Sequence, residues 1–287
     1  MIPGEFDYHA PTTLDDAVAL LAEHGDDAKI LAGGQSLIPA MRFRLAAPET
    51  LIDITGIDGM SYIREDNGHL AIGAMTTETD LEDSDLVQNG YDMLSDAAFV
   101  IADPVVRNKA TVGGNLAHSD PANDHPAVML AYGAEIVALG PNGTRAIGID
   151  DFFTGLFENS MGDDEILTEI RVPRPAAGSG GAYIKVERKV GDYAISAAAV
   201  NLTMDGDIVT SARVGLTNVS PVPMRSTGAE AALIGNSLTD EVLEAAGAAA
   251  AADCDPSADL RGTVEYKRDL TRVLVKRAIK KAASRAG

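Results

Sequence analysis

Thr111-Val-Gly-Gly-Asn-Leu-Ala-His-Ser-Asp-Pro-Ala-Asn-Asp124 is the stretch on which the reading of this chain turns. Two adjacent glycines, Gly113 and Gly114, follow a β-branched pair and precede Asn115. Lacking a Cβ, they let the backbone turn sharply and let another group come close to it. A second cassette, Ala32-Gly-Gly-Gln-Ser36, has nearly the same grammar and follows the apolar pair Ile30-Leu31. A short strand, a glycine turn and a helix start at Ser36-Leu37 make a physically sensible anion site. Paired glycines also serve simply as turns, and either cassette alone would be read that way. Two of them, each followed by small polar side chains, point to two backbone cradles for anionic oxygens, such as the two phosphates of a dinucleotide.

The composition bounds what such cradles could serve. A chain of 287 residues can form one large domain or two to three small ones, and it buries a real core either way. Its formal net charge of −20 argues against nucleic acid, whose phosphates need Lys and Arg. The acidic residues are dispersed, not held in a tail; such a surface stays soluble at high salt. A halophilic source is therefore one expectation, and an ordinary acidic protein is the other. No apolar run approaches membrane-spanning length, and Met1 to Tyr8 lacks both a basic start and an apolar stretch. A cytoplasmic location is expected. Cys254 is the only cysteine, so the chain supplies neither an internal disulfide nor the ligands of a usual iron–sulfur cluster. His118 and His125, with Asp120 and Asp124, could bind a metal, but a Pro-rich turn with caps explains the same residues, and no metal site is expected.

Taken in order, Thr12 or Thr13 caps a helix with Leu14, Ala17, Val18 and Leu21 on its apolar face and Gly25 as its stop. Strands are expected at 29–32, 50–54, 60–63 and 70–74, the last two joined by Asp66-Asn67-Gly68. A helical region ends with Leu94 to Ala102 and is broken by Pro104. Asp124 is read as the cap of a helix that carries Pro126 in its first turn and stops at Gly133. A hairpin spans 135–149, and a strand spans Ile166 to Val172. Beyond the Pro- and Gly-rich segment 173–181 come three antiparallel strands (182–190, 194–204 and 208–218) and then helices at 226–234, 240–252 and 263–283. Runs of strands followed by runs of helices indicate an α+β class. On pattern alone, Tyr183, Lys185, Glu187 and Lys189 share one face of a strand and read as a solvated face. Tyr193 reads as an edge aromatic.

No G-x-G-x-x-G or G-x-x-x-x-G-K-[ST] motif is present, so a Rossmann or P-loop reading has no anchor. No spacing of Ser, His and acid points to a nucleophilic triad, and no catalytic residue is assigned.

Together, Ala32-Gly-Gly-Gln-Ser36, Val106-Arg-Asn-Lys-Ala-Thr-Val-Gly-Gly-Asn115 and Asp120-Pro-Ala-Asn-Asp124 resemble the FAD-binding (medium) subunits of molybdenum hydroxylases. The likeness covers essentially the whole chain and is greatest to the aerobic carbon monoxide dehydrogenase group. It implies a two-subdomain FAD-binding domain of the vanillyl-alcohol-oxidase/molybdopterin-dehydrogenase type at 1–174, with subdomains at about 1–53 and 54–174. A C-terminal α+β domain, a three-stranded antiparallel sheet with helices, would follow at 180–287. In such a protein Ala32, Gly33, Gly34, Gln35, Ser36 and Leu37, with Thr111, Gly113, Gly114 and Asn115, would hold the FAD pyrophosphate through backbone N–H groups and side chains. Ile101, Ala102 and Val106 would wall the flavin and adenosine portions, and Asp124 and Leu167 would contact the cofactor. Lys185 would lie near the flavin pyrimidine edge, where a cation favours the anionic reduced flavin. Tyr193 would lie beside the isoalloxazine ring. The resemblance further implies an electron-transfer subunit working with a small iron–sulfur chain carrying [2Fe-2S] clusters and a large chain carrying a molybdenum-pterin cofactor, in a dimer of heterotrimers. FAD subunits of xanthine- or aldehyde-type hydroxylases, a self-contained FAD oxidoreductase and a non-catalytic nucleotide-binding module stay open as alternatives.

Overall fold

The fold is that of a computed structural model, which describes residues 2–286. Its first layer is a parallel sheet in which Thr50–Asp53 lies between Asp7–His9 and Ala28–Leu31. The crossover between Asp7–His9 and Ala28–Leu31 is the helix Leu14–His24, and its ends are the ones the sequence marks. The Thr13 side chain accepts from the Asp16 N–H, and Gly25 ends the helix at φ 53°. Ala17, Val18 and Leu21 are its buried face.

A five-stranded antiparallel sheet follows, in the order Ile63–Asp66, His69–Gly73, Ile166–Pro173, Glu135–Gly140, Gly143–Gly148. Its first hairpin turns through Asn67 and Gly68, both at positive φ (46° and 86°), the pairing of left-handed residues that matches strand twist. Its central strand arrives last in the chain. The excursion between Gly73 and Glu135 is therefore free to build helices, and these carry the second glycine cassette. Pro104 does not merely break the preceding helix, which ends at Val100; it opens a new one. The Asp103 carboxylate accepts from the Val105 and Val106 N–H groups, and Pro104 takes the first helical position, where its missing N–H costs nothing.

The last sheet pairs Ser179–Glu187, Ala194–Asp205 and Ile208–Thr217 in antiparallel order, as the alternation predicts. A fourth strand, Met224–Arg225, extends it on the Ile208–Thr217 side. Two residues are too few to carry a periodicity, so the sequence pattern does not announce it. The helices Thr227–Leu233, Asp240–Asp253 and Val264–Ala283 cover this sheet. Leu274, Val275, Ala278 and Ile279 of the last helix share a fully buried cluster with Val200, Leu202 and Val214.

The end of that helix is fastened to the middle of the chain by Asp96, on the helix Asp92–Val100. Its carboxylate accepts from Lys281 Nζ (2.8 Å), from both Arg285 terminal nitrogens (2.8 and 3.0 Å) and from the Tyr183 N–H (3.0 Å). Burial alone would push the Asp96 carboxyl up, but these donors outweigh it and hold it below its ordinary value. Replacing it, Asp96→Ala, strands a backbone N–H and two cations. We expect a loss of about 2 kcal/mol in urea unfolding at neutral pH. Because the native carboxyl is depressed, that margin is present above the unfolded carboxylate pKa and lost as pH falls through the folded one, which melts in acidic buffer will show.

Candidate cofactor site

The two glycine cassettes meet. Gly33 faces the carbonyl of Lys109 so closely that a Cβ there would stand 2.0 Å from the oxygen. A Cβ on Gly113 would meet the Ala74 carbonyl at 2.6 Å, and one on Gly114 would meet Thr111 Oγ1 at 2.7 Å and the Ala32 methyl at 3.7 Å. Gly33 and Gly113 are thus demanded by chain packing on chain, a reason distinct from the ligand approach read from sequence.

The two loops differ in what they leave available. In the second, the Val112 and Gly113 N–H groups donate to Thr76 O and Ala74 O, both at 3.0 Å. The Gly114 N–H donates to Thr111 Oγ1 and the Asn115 N–H to Thr111 O, as the helix Val112–His118 begins. These amides are engaged, which departs from the expectation that they form half of a phosphate cradle. In the first loop the amides of Gly33, Gly34, Gln35 and Ser36 donate to no acceptor among the described residues, and Ser36, at the cap of Leu37–Arg42, makes no capping bond. In the second loop, Asn115 Oδ1 is buried without a hydrogen-bond partner. Unused amides, an unused hydroxyl and an orphaned polar atom around two touching loops fit a polar ligand such as a dinucleotide.

Beside the loops, Ile101 is buried and Ala102 adopts a left-handed φ of 49°. Arg107 holds this corner by donating to the carbonyls of Ile101 and Ala102 (3.1 and 3.2 Å) while pairing with Glu82 at 2.9 Å. Val106, partly buried, follows in the short helix Pro104–Arg107. The loop carrying Tyr193 rests on this corner, for a Cβ on Gly191 would lie 2.9 Å from the Ala102 carbonyl. The Tyr193 ring is 42% exposed and faces the Arg261 guanidinium, which Asp192 fixes at 2.8 Å. It is open enough to stack on a planar ligand. Leu167 is 5% exposed, buried in the central strand of the five-stranded sheet.

Asp124 is not the cap expected of it. The capping position belongs to Asn123, and Asp124 is the first helical residue, its carboxylate turned to the C-terminal sheet. Tyr183 Oη donates to one oxygen at 2.5 Å and Lys185 Nζ to the other at 3.0 Å. Lys185 Nζ also donates to Val100 O at 3.2 Å and lies 3.3 Å from Glu187. Its side chain is 2% exposed, so the solvated face drawn from strand alternation is overturned. The helices Asp92–Val100 and Asp124–Tyr132 cover that face, and alternation does not reveal which side of a sheet they take. Burial pushes the Asp124 carboxyl up against the opposing pull of Lys185 and Tyr183, and burial with Asp124 pushes the Tyr183 phenol well up.

Glu78, and its pairing with His125, escaped the sequence reading. His125 and Glu78 are both fully buried and bond at 2.8 Å, with His125 Nδ1 and Glu78 Oε1 left unpartnered. Glu78 also donates its N–H to Ala110 O, so the pair ties the second cassette to the helix bearing Asp124. No local signal links residues so far apart in sequence. His118 goes elsewhere, stacking on Phe157 with centroids 5.1 Å apart. Among the described residues no group of three or more His, Cys, Asp or Glu is placed to hold a metal ion.

Known proteins resemble this chain over its whole length. Residues 4–175 match the FAD binding domain in molybdopterin dehydrogenase, and residues 181–282 match the CO dehydrogenase flavoprotein C-terminal domain. The carbon monoxide dehydrogenase medium chain of Hydrogenophaga pseudoflava is 47% identical over 99% of each chain. That of Afipia carboxidovorans is 44% identical over 100% of this chain and 99% of that protein. A solved structure of carbon monoxide dehydrogenase from H. pseudoflava, lacking the Mo-pyranopterin moiety of its cofactor, superposes with a TM-score of 0.98, covering 100% of both chains at 48% identity.

The His125–Glu78 pair gives a pH signature. Burial pulls the imidazole pKa down, but the adjoining carboxylate outweighs it and leaves it above its ordinary value. A raised histidine contributes stability that is complete below the unfolded pKa of about 6.5 and is lost as pH rises through the folded one. The parent should melt above His125→Asn at about pH 6, and the gap should narrow as the pH is raised above that. Parallel thermal melts check this.

Proposed function

Because the chain belongs to the FAD-binding, carbon monoxide dehydrogenase-type flavoprotein subunits of the molybdenum hydroxylases, we propose that it carries FAD across its two glycine loops and relays electrons between iron–sulfur clusters on a partner chain and an external acceptor. The observation that carries this reading is the convergence of residues 32–37, 101–106, 111–115, Asp124, Lys185 and Tyr193 on one region of the fold. The free amides of 33–36 and the Ser36 hydroxyl would take the pyrophosphate, with Thr111, Gly113, Gly114 and Asn115 as the facing wall. Ile101, Ala102 and Val106 would shape the flavin and adenosine pockets, with Leu167 behind them. Lys185 and Tyr193 would sit at the ring. Bound FAD supplies a carrier that exchanges single electrons with clusters and a pair with the acceptor. The protein's part is to orient it, exclude water and set the charge around it.

The partner assignment rests on what this chain lacks. Its one thiol, Cys254, is buried and pushed up to about 12, chiefly by that burial, so it is neither a cluster ligand nor a nucleophile. A small [2Fe-2S] chain and a large molybdenum-pterin chain would supply the remaining centres, in a dimer of heterotrimers within the cytoplasm. Carbon monoxide is preferred as substrate over a xanthine or aldehyde because of the two carbon monoxide dehydrogenase medium chains at 47% and 44% identity. We assign residues 1–174 to the FAD-binding domain, divided near 53, and 180–287 to the C-terminal domain; residues 1 and 287 lie outside the described residues.

Co-purification from the source tests this. Flavin absorption with two companion chains bearing Mo and Fe, bleached by carbon monoxide, is expected. A yellow protein without companions would indicate a self-contained flavoprotein, and a colourless one that takes up no FAD would overturn the reading. Within the site, Asn115→Ala should weaken FAD binding by about tenfold, the worth of one hydrogen bond, without lowering the apoprotein melt, since no protein group meets Asn115 Oδ1. Fluorescence titration of apoprotein with FAD measures it.

A further inference from the structure

Lys185 is the cation buried at the proposed flavin site, and two carboxylates, Asp124 and Glu187, lie within 3.0 and 3.3 Å of it. With both ionised, the trio carries a net negative charge, and the lysine would offer little positive field to a ligand. One neutral group alters this balance. The Tyr183 hydroxyl directs its proton at Asp124 Oδ1, the oxygen that Lys185 does not hold.

Tyr183 is itself firmly placed. Its ring is 3% exposed, its N–H is held by Asp96, and Thr217 Oγ1 lies 3.4 Å from its phenol oxygen. Lys185 stands two residues along the same strand, so both side chains leave the same face and converge on one carboxylate. Among the described residues Asp124 has no other side-chain donor, and it does not cap its own helix. Its position and its effective charge are therefore set by Tyr183 and Lys185 together.

We propose that Tyr183 is a positioning residue for the flavin site: by hydrogen-bonding Asp124 it draws charge from that carboxylate, leaves more of the Lys185 positive field uncompensated and so raises the reduction potential of bound FAD. This rests on the placement of Lys185 beside the flavin given above. Neither residue reacts. Tyr183 acts through Asp124, and Asp124 through Lys185.

Spectroelectrochemical titration of FAD in the assembled protein separates the links. Tyr183→Phe keeps the buried ring and should lower the flavin midpoint potential. Lys185→Met should lower it as well, and adding Tyr183→Phe to Lys185→Met should cause no further shift, since the two act in series. The proposal is overturned if Lys185→Met shifts the potential and Tyr183→Phe does not, or if Tyr183→Phe shifts it equally with and without Lys185. If Lys185→Met leaves the potential unmoved, the lysine is not beside the flavin, and that placement falls together with the role of Tyr183. Should Tyr183→Phe fail to fold, Asp124→Asn reads the same link. It should raise the potential, and an unchanged value would overturn the proposal.

Discussion

Everything at this site depends on one close approach: the Gly33 backbone against the carbonyl of Lys109. No side chain larger than hydrogen fits there, so the parallel sheet at the start of the chain and the helical excursion of the second sheet are locked loop against loop. Once they are, the first loop's amides stand unused over a second loop whose amides are already bonded to residues 74, 76 and 111. The asymmetry matters. One cassette is a donor and the other is a rigid wall, although their sequences look alike.

The charges beneath the loops follow a similar division of labour. A buried ion pair is a weak source of net stability but a strong constraint on geometry, because each partner left alone would be costly. Glu78–His125 joins the second cassette to the helix of Asp124, and Asp124 in turn joins that helix to Tyr183 and Lys185 of the last sheet. Two salt-bridged side chains at adjacent positions, 124 and 125, thus reach in different directions and hold three parts of the chain in register.

How far the sequence could see varied with the range of the interaction. Thr13, Gly25 and Gly133 mark helix ends through local backbone geometry, and Asn67-Gly68 marks a hairpin, so all four are legible from neighbours alone. The glycine cassettes were legible as sites, but the reason for Gly33 and Gly113 was not, since Lys109 and Ala74 are brought to them only by the fold. Lys185 looked solvated because alternation names a strand's two faces without saying which one a helix will cover. Asp124 looked like a cap because Asp before a helix usually is one; here a distant tyrosine and lysine compete for its carboxylate and win. Cys254, conspicuous for being alone, is simply buried.

The clamp on Asp96 ties the surroundings of Lys185 to the last helix. Arg285 reaches back to Asp96 and to the Gly181 carbonyl, and the same Asp96 holds the Tyr183 N–H two residues from Lys185. The lysine's surroundings are therefore complete only when the last helix has docked on the helix that carries Asp96. A change that loosens that helix, far from either glycine loop, would reach Lys185 through Asp96 and Tyr183.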